Sequence, residues 1–363
     1  MAIRSVKAYP LSLPFDIGGP KPIFAGKTRE MEMLLIRVET EDGLIGWGES
    51  FGFSIWPASL EVIERLVSPL AIGRDESKID ELILEISRKL HPLGRAGAVI
   101  FAISGLDTAL WDIQAQKQNK SLAHLLSNEP KTVIPAYASL IRYNNPDLVA
   151  KNAAAAVLQG FKAIKLHETG FDEIKAARDA IGPDIHLMVD TNCPWRPLQA
   201  IQMCEKLQAL NLFWIEEPVW PPEDHEGLAL VKREGNIPTA AGENALGYSD
   251  FKDLITKQSV DYLQPSVTKI GGISEMLKVM GLIKNTSIRL APHSPYMGPG
   301  LVATAHLIAA QKEEIYLEYT FCQMDFNPLG KSVLTQDGFF NISSQPGLGL
   351  DVDMNIVQQL LVS

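Results

Sequence analysis

Three carboxylates, Asp190, Glu216 and Glu243, stand at the polar ends of the short apolar segments HLMVDTN, FWIEEP and TAAGEN, spaced by about one strand–helix unit. Nearly the same interval links Lys165 before them and Ser266, His293 and Glu318 after them. In a closed barrel of parallel strands, residues at the carboxyl ends of successive strands converge on one mouth, which is where barrel enzymes do their chemistry. Three carboxylates gathered there repel one another unless a cation joins them. An all-oxygen donor set selects a hard ion, Mg²⁺ ahead of Mn²⁺, over zinc or copper.

Further groups share the register. The period of two in KAIKLHE puts Lys165 and His167 on the face that points into the barrel, with Ile164 and Leu166 on the other. A buried ammonium needs carboxylate company, which the acids or a bound substrate acid supply. His293, in LAPHSP, faces the mouth from the far side, and histidine is the commonest general acid or base. Glu318 and Asn192 are placed to hydrogen-bond substrate oxygens, and Ser139 and Tyr137, on the first strand, are read as substrate-binding residues.

The elements that must position these groups are legible as a pattern. Beyond Thr132 eight short apolar runs alternate with helical stretches: VIPAYA, KAIKLHE, HLMVDTN, FWIEEP, TAAGEN, YLQPS, IRLAPHS and IYLEYT. Eight successive units predict an α/β fold, a (β/α)8 TIM barrel, over 129–328. Residues 1–128 read as an α+β cap: MEMLLIRVETEDGLIGW forms two strands about an Asp42-Gly43 turn, and helical periodicity follows, clearest in SGLDTALWDIQAQ. Loops at 14–26 and 50–57, rich in Gly, Pro and aromatic residues, read as lids. Residues 329–363 are expected to return to the cap.

Bulk properties narrow the class. With 363 residues, 46% apolar and 21% charged, the chain suits a barrel plus a smaller domain. A net charge of −10 argues against a nucleic-acid surface. No continuous apolar run of membrane-spanning length is present, so a cytoplasmic location is expected. Cys193, Cys204 and Cys322 lack the paired spacings of metal or redox sites and are expected as free thiols.

The sequence resembles the enolase superfamily, specifically its mandelate racemase and muconate lactonizing enzyme group, along nearly the whole chain. GWGES, SGLDTALWDI, VDTN, WIEEP, AGEN, KIGG, APHS and PGLGLDVD carry the resemblance in order. It implies a capping domain over a modified barrel of (β/α)7β type, with Asp190, Glu216 and Glu243 as Mg²⁺ ligands. It also implies removal of the proton α to a substrate carboxylate. Lysine or histidine bases with Mg²⁺ are a known property of this superfamily and no deduction from this chain. Lys165 and His167 occupy the Lys-x-Lys position, with histidine for the second lysine. His293 matches the histidine of the racemase-like subgroup, Ser266 stands where its orienting aspartate is expected, and Glu318 matches the acid that hydrogen-bonds the developing enediolate. The family also implies a homo-oligomer, dimer or octamer.

The expected activity is dehydration of a sugar acid, a small carboxylate, because His167 or His293 can protonate a departing hydroxide. Racemisation or epimerisation, in which a proton returns to the other face, and cycloisomerisation are the alternatives. A metal-independent aldolase with Lys165 as Schiff-base nucleophile and a non-catalytic metal-dependent binding protein are readings of other classes.

Overall fold

The computed structural model describes every residue except Ala25, Arg29, Asp325 and Ser363. The lid at 14–26 therefore includes one position, and the tail at 329–363 one position, outside the described residues. All eight barrel strands form: Val133–Ser139, Ala163–Leu166, His186–Asp190, Trp214–Glu216, Thr239–Ala241, Tyr262–Leu263, Arg289–Leu290 and Leu317–Thr320. Neighbours pair in parallel from the first to the seventh, and the eighth returns to pair with the first. Helices follow the first seven strands but not the eighth, which gives the (β/α)7β arrangement. Among the described residues no ladder joins the seventh strand to the eighth; Ser294, just past the seventh, donates its hydroxyl to the Glu318 carbonyl at 3.0 Å across that seam.

The strands order the barrel interior by their period of two. Tyr137, Ala163, Met188, Trp214, Tyr262 and Ala291 share one buried apolar layer. Two residues further along each strand stand Ser139, Lys165, Asp190, Glu216, Gln264 and His293. Alternation thus stacks a polar layer directly on an apolar floor.

Residues 1–128 form a three-stranded antiparallel sheet, with Met31–Thr40 between Ile3–Leu13 and Ile45–Ser50. The turn at Asp42-Gly43 is present, with Gly43 at φ 85°. Ile3–Leu13 is a strand that sequence reasoning left unassigned. In the central strand Leu34, Ile36 and Val38 join the core of the cap helices, while Met31, Met33 and Leu35 join the core shared with the barrel. Burial on both faces explains why this segment reads as an almost unbroken apolar run.

The helix Ala98–Lys117 lies so close to Ile45–Ser50 that a Cβ on Gly48 would fall 2.0 Å from the Gly105 carbonyl oxygen. The glycine of GWGES and that of SGLD therefore meet. This helix is long and apolar enough by composition to cross a membrane, yet 72% of its apolar window is buried in the protein, as expected of a core helix.

The tail does not simply return to the cap. Thr335–Gln336 and Phe339–Asn341 form a hairpin that pairs antiparallel with the first barrel strand, Phe340 opposite Ile134. Only then does the chain reach the cap, where Leu348 N–H donates to Asp112 Oδ1 at 2.7 Å. Val362 N–H finally donates to the Pro10 carbonyl at 2.9 Å. The unpaired edge at the start of the first strand captures the hairpin before the cap is reached.

Candidate active site

The polar layer brings the expected carboxylates together. One oxygen each from Asp190, Glu216 and Glu243 lies within 4.8 Å of the others. Asp190 Oδ2 is buried without a hydrogen-bond partner, and the donor set is entirely carboxylate, so the residues present fit a hard divalent cation. Burial pushes Asp190 up to about 6 and Glu216 up to about 7. Burial acts the same way on Glu243, but His293 and Lys269 outweigh it and hold that carboxyl well below its ordinary value.

Lys165 is fully buried at the hub. Its Nζ lies 2.7 Å from Glu318 Oε1, 2.9 Å from Glu216 Oε1 and 3.6 Å from Asp190 Oδ2. Burial alone would lower its pKa, but Glu216 and Glu318 hold it well above the ordinary value. Burial likewise opposes ionisation of Glu318, and the lysine overcomes it, bringing the carboxyl down to about 2. Ser139 Oγ and the Ser294 backbone N–H complete the hydrogen bonds to Glu318, at 2.9 Å each.

The two histidines have opposite surroundings. His167 Nδ1 lies 2.5 Å from the Leu140 carbonyl, which can only accept, so Nδ1 carries the hydrogen and Nε2 is left with a lone pair. That Nε2 stands 3.4 Å from Asp190 Oδ2. Burial, aided by Lys165, lowers the His167 pKa to about 4. His293 Nε2 lies 2.6 Å from Glu243 Oε2, so there the hydrogen sits on Nε2. Its Nδ1 lies within hydrogen-bond distance of two hydroxyls, Ser266 Oγ at 3.2 Å and Tyr296 OH at 3.3 Å, which also bond each other. Sequence reasoning identified the missing aspartate at Ser266 but not Tyr296. Only its place three residues beyond His293 hinted at it.

A cavity of about 740 Å³ opens above this layer. Ser139, His167, Asn192, Glu243 and His293 line it from the barrel, and Phe15, Pro20, Lys21, Phe51 and Phe53 from the two cap loops. Asn192, at φ 54°, turns back so that both its backbone N–H and its side-chain amide donate to Asp190 Oδ1 at 3.0 Å.

Tyr137 does not belong to this lining. It is fully buried in the apolar floor, its ring edge-on to Trp214, and its hydroxyl has no partner. Its place one step below Ser139 in the alternation puts it beneath the polar layer, which corrects the expectation that it binds substrate.

Glu217 is a further buried acid that the sequence reading passed over in WIEEP. It accepts from Asn244 Nδ2 at 2.8 and 3.0 Å, and burial together with Glu243 and Asp190 raises its pKa well above the ordinary value. A larger cavity, about 930 Å³, opens at the opposite end of the barrel among His186, Phe213, Tyr262 and Tyr316. Among the described residues its acids are Glu313 and Glu314, and the cluster that could hold a metal lies at the other end, so size alone does not mark the chemistry.

Fold and site together define a barrel enzyme with an acidic mouth under a cap. Residues 148–356 match the family described as enolase C-terminal domain-like, and residues 14–127 match the mandelate racemase / muconate lactonizing enzyme N-terminal domain. The chain belongs to this family of the enolase superfamily, whose relatives here are named as lyases and isomerases. It is 30% identical over 341 residues to the arabinonate dehydratase of Saccharolobus solfataricus, covering 91% of this chain and 90% of that one. Among solved structures, the 3,6-anhydro-D-galactonate cycloisomerase of Zobellia galactanivorans superposes with a TM-score of 0.86 at 29% identity, each chain covered completely. The L-talarate dehydratase of Polaromonas sp. JS666, complexed with Mg and L-glucarate, gives 0.83 at 28% identity, covering 100% of this chain and 98% of that one.

Proposed function

We propose that this protein is a Mg²⁺-dependent dehydratase of a sugar acid, with the ion held by Asp190, Glu216 and Glu243. The observation that carries the choice of reaction is the opposite hydrogen placement on its two histidines. When bound, the ion supplies positive charge that stabilises the substrate carboxylate as its α-proton leaves. His167 Nε2, bearing a lone pair, takes that proton, and Lys165, held in place by Glu318, stabilises the charge that develops. His293, in its imidazolium form, delivers the Nε2 hydrogen to the β-hydroxyl and is left neutral. The C–O bond breaks, the α-carbon electron pair forms the C=C bond, and water departs. The resulting enol tautomerises to a 2-keto-3-deoxy acid.

A racemase needs a base on each face, and His293 Nδ1 meets the hydroxyls of Ser266 and Tyr296 where a carboxylate would strengthen Nε2 as one. Cycloisomerisation is the second reading, favoured by the likeness to the Zobellia structure. It shares the first step and differs in the leaving group. A library of sugar acids incubated with the Mg²⁺-loaded enzyme and assayed for keto-acid decides between them. Keto-acid formed from an open-chain acid with loss of one water supports dehydration, whereas keto-acid formed only from a lactone or anhydro acid, with no net loss of water, overturns it.

Residues 1–128 and 129–328 are proposed as cap and barrel domains, spanned by the tail at 329–363. A cytoplasmic homo-oligomer, dimer or octamer, is the proposed setting, and light scattering on the purified protein measures its size.

A further inference from the structure

Among the described residues, Arg142 is the lysine or arginine lining the active-site cavity that has no carboxylate partner. Lys21 pairs with Glu30 at 3.1 Å, and Lys269 stands 3.6 Å from Glu243. Arg142 instead meets neutral acceptors. Its Nε donates to the His167 carbonyl, and its Nη2 reaches the Thr191 carbonyl at 3.4 Å and Asn192 Oδ1 at 3.2 Å. These contacts fix one edge of the guanidinium and leave Nη1 without a protein partner.

A planar cation held along one edge and free on another is prepared to receive an anion in a defined orientation, and guanidinium matches carboxylate geometry better than any other side chain. The nearby Glu168 carboxylate is taken up by the backbone N–H groups of Tyr143 and Asn144, so a ligand that brings an anion to Arg142 gains more than a neutral one. Arg142 connects to the carboxylate cluster only indirectly, through Asn192, which in turn donates to Asp190. None of Asp190, Glu216 and Glu243 is an ion-pair partner of Arg142, so Nη1 is open to a group other than the carboxylate whose α-proton is removed at the cluster.

We propose that Arg142 binds a second carboxylate at the far end of the substrate, which makes the substrate an aldarate, a sugar acid oxidised at both ends. The proposal rests on the sugar-acid reading above. An aldonate, which ends in a neutral hydroxyl, forms only the weaker neutral hydrogen bond at this position.

The test compares six-carbon aldarates with the aldonates of matching stereochemistry on the Mg²⁺-loaded wild type, Arg142→Gln and Arg142→Lys. Two measurements are made: kcat/KM for keto-acid formation, and protection of the protein against thermal unfolding by each acid. The wild type is expected to prefer the aldarate by about 10- to 100-fold, the span of one charge-assisted hydrogen bond. Arg142→Gln should lower kcat/KM on the aldarate by about 10-fold or more beyond any loss on the aldonate, and Arg142→Lys should restore part of that difference. Equal losses on both substrates in Arg142→Gln would mean that the arginine only braces the His167 and Thr191 carbonyls, and would overturn the proposal. So would a wild type that prefers aldonates. If no sugar acid yields a keto-acid, the dehydratase reading fails. The binding comparison then still decides for or against a second carboxylate at Arg142.

Discussion

Glu49, at the end of the cap strand Ile45–Ser50, accepts the backbone N–H of Gly300 at 2.8 Å and so seals the first turn of the barrel helix Pro299–Ala309 with a carboxyl group from the other domain. Asp107, on the helix Ala98–Lys117, does the same for the barrel helix Ile273–Leu282, accepting from Ser274 N–H at 3.0 Å. Orphan donors at two helix starts are thus satisfied across the domain boundary.

These bonds carry a pH dependence. Burial raises Glu49 to about 8 and Asp107 to about 7, far above an unfolded carboxylate near 4. A carboxyl with a raised folded pKa contributes stability that is complete below the unfolded value and is lost as pH rises through the folded one. The stability of the wild type relative to Glu49→Gln should fall as pH rises from about 4 and level off near 8. Melting curves of both proteins across pH provide the check, and a difference that does not change over that range contradicts the assignment.

Metal dependence rests on Glu216. Glu216→Gln keeps the shape but removes a negative ligand, and is expected to lower Mg²⁺ affinity and to cut turnover by about 100-fold or more. Calorimetric titration with Mg²⁺ and a product assay measure the two effects. Full turnover in this variant would remove the basis for the metal site.

The histidines should separate by step. His293→Asn is expected to retain exchange of the substrate α-hydrogen with solvent deuterium while product formation falls by about 10²- to 10⁴-fold. His167→Asn should lose both. Exchange that survives in the His167 variant would transfer the base role to Lys165.

The shared hydroxyls behind His293 predict redundancy. Ser266→Ala or Tyr296→Phe alone leaves one hydroxyl to bond Nδ1 and should cost about threefold or less in kcat, whereas the pair together should cost at least about tenfold. Additive small losses would argue against a common role.

Tyr137→Phe removes a buried hydroxyl that has no partner, so activity should be unchanged and stability should rise by about 1 kcal/mol. A large loss of kcat/KM in this variant would restore Tyr137 to the substrate site.

The strand ends were legible because two independent periods coincide there, two residues within a strand and one strand–helix unit between strands. That was enough to assign Lys165, Asp190, Glu216, His293 and Glu318 to one mouth. That alternation puts Tyr137 and Ser139 on one face, and only the register with Ala163 and Lys165 sets Tyr137 one layer lower. Other features lie outside any local pattern. Tyr296 reaches His293 from an irregular loop, the hairpin at Phe339–Asn341 pairs with a strand some 200 residues earlier, and Ile3–Leu13 is interrupted by Pro10, which weakens its appearance as a strand. The lone guanidinium of Arg142 is visible only once its missing partner can be sought in space.

The central cap strand Met31–Thr40 acts as a party wall. Leu13 is paired with Met31, and Ser50 with Leu34, so the loop that follows Leu13 and the loop that follows Ser50 spring from the same end of one sheet. The wall is committed on both sides, but what hangs from its edge is not. Lengthening a surface loop costs little in closure entropy, so the roof of the cavity can be recut, by descent or by grafting, while the masonry beneath it stays in place.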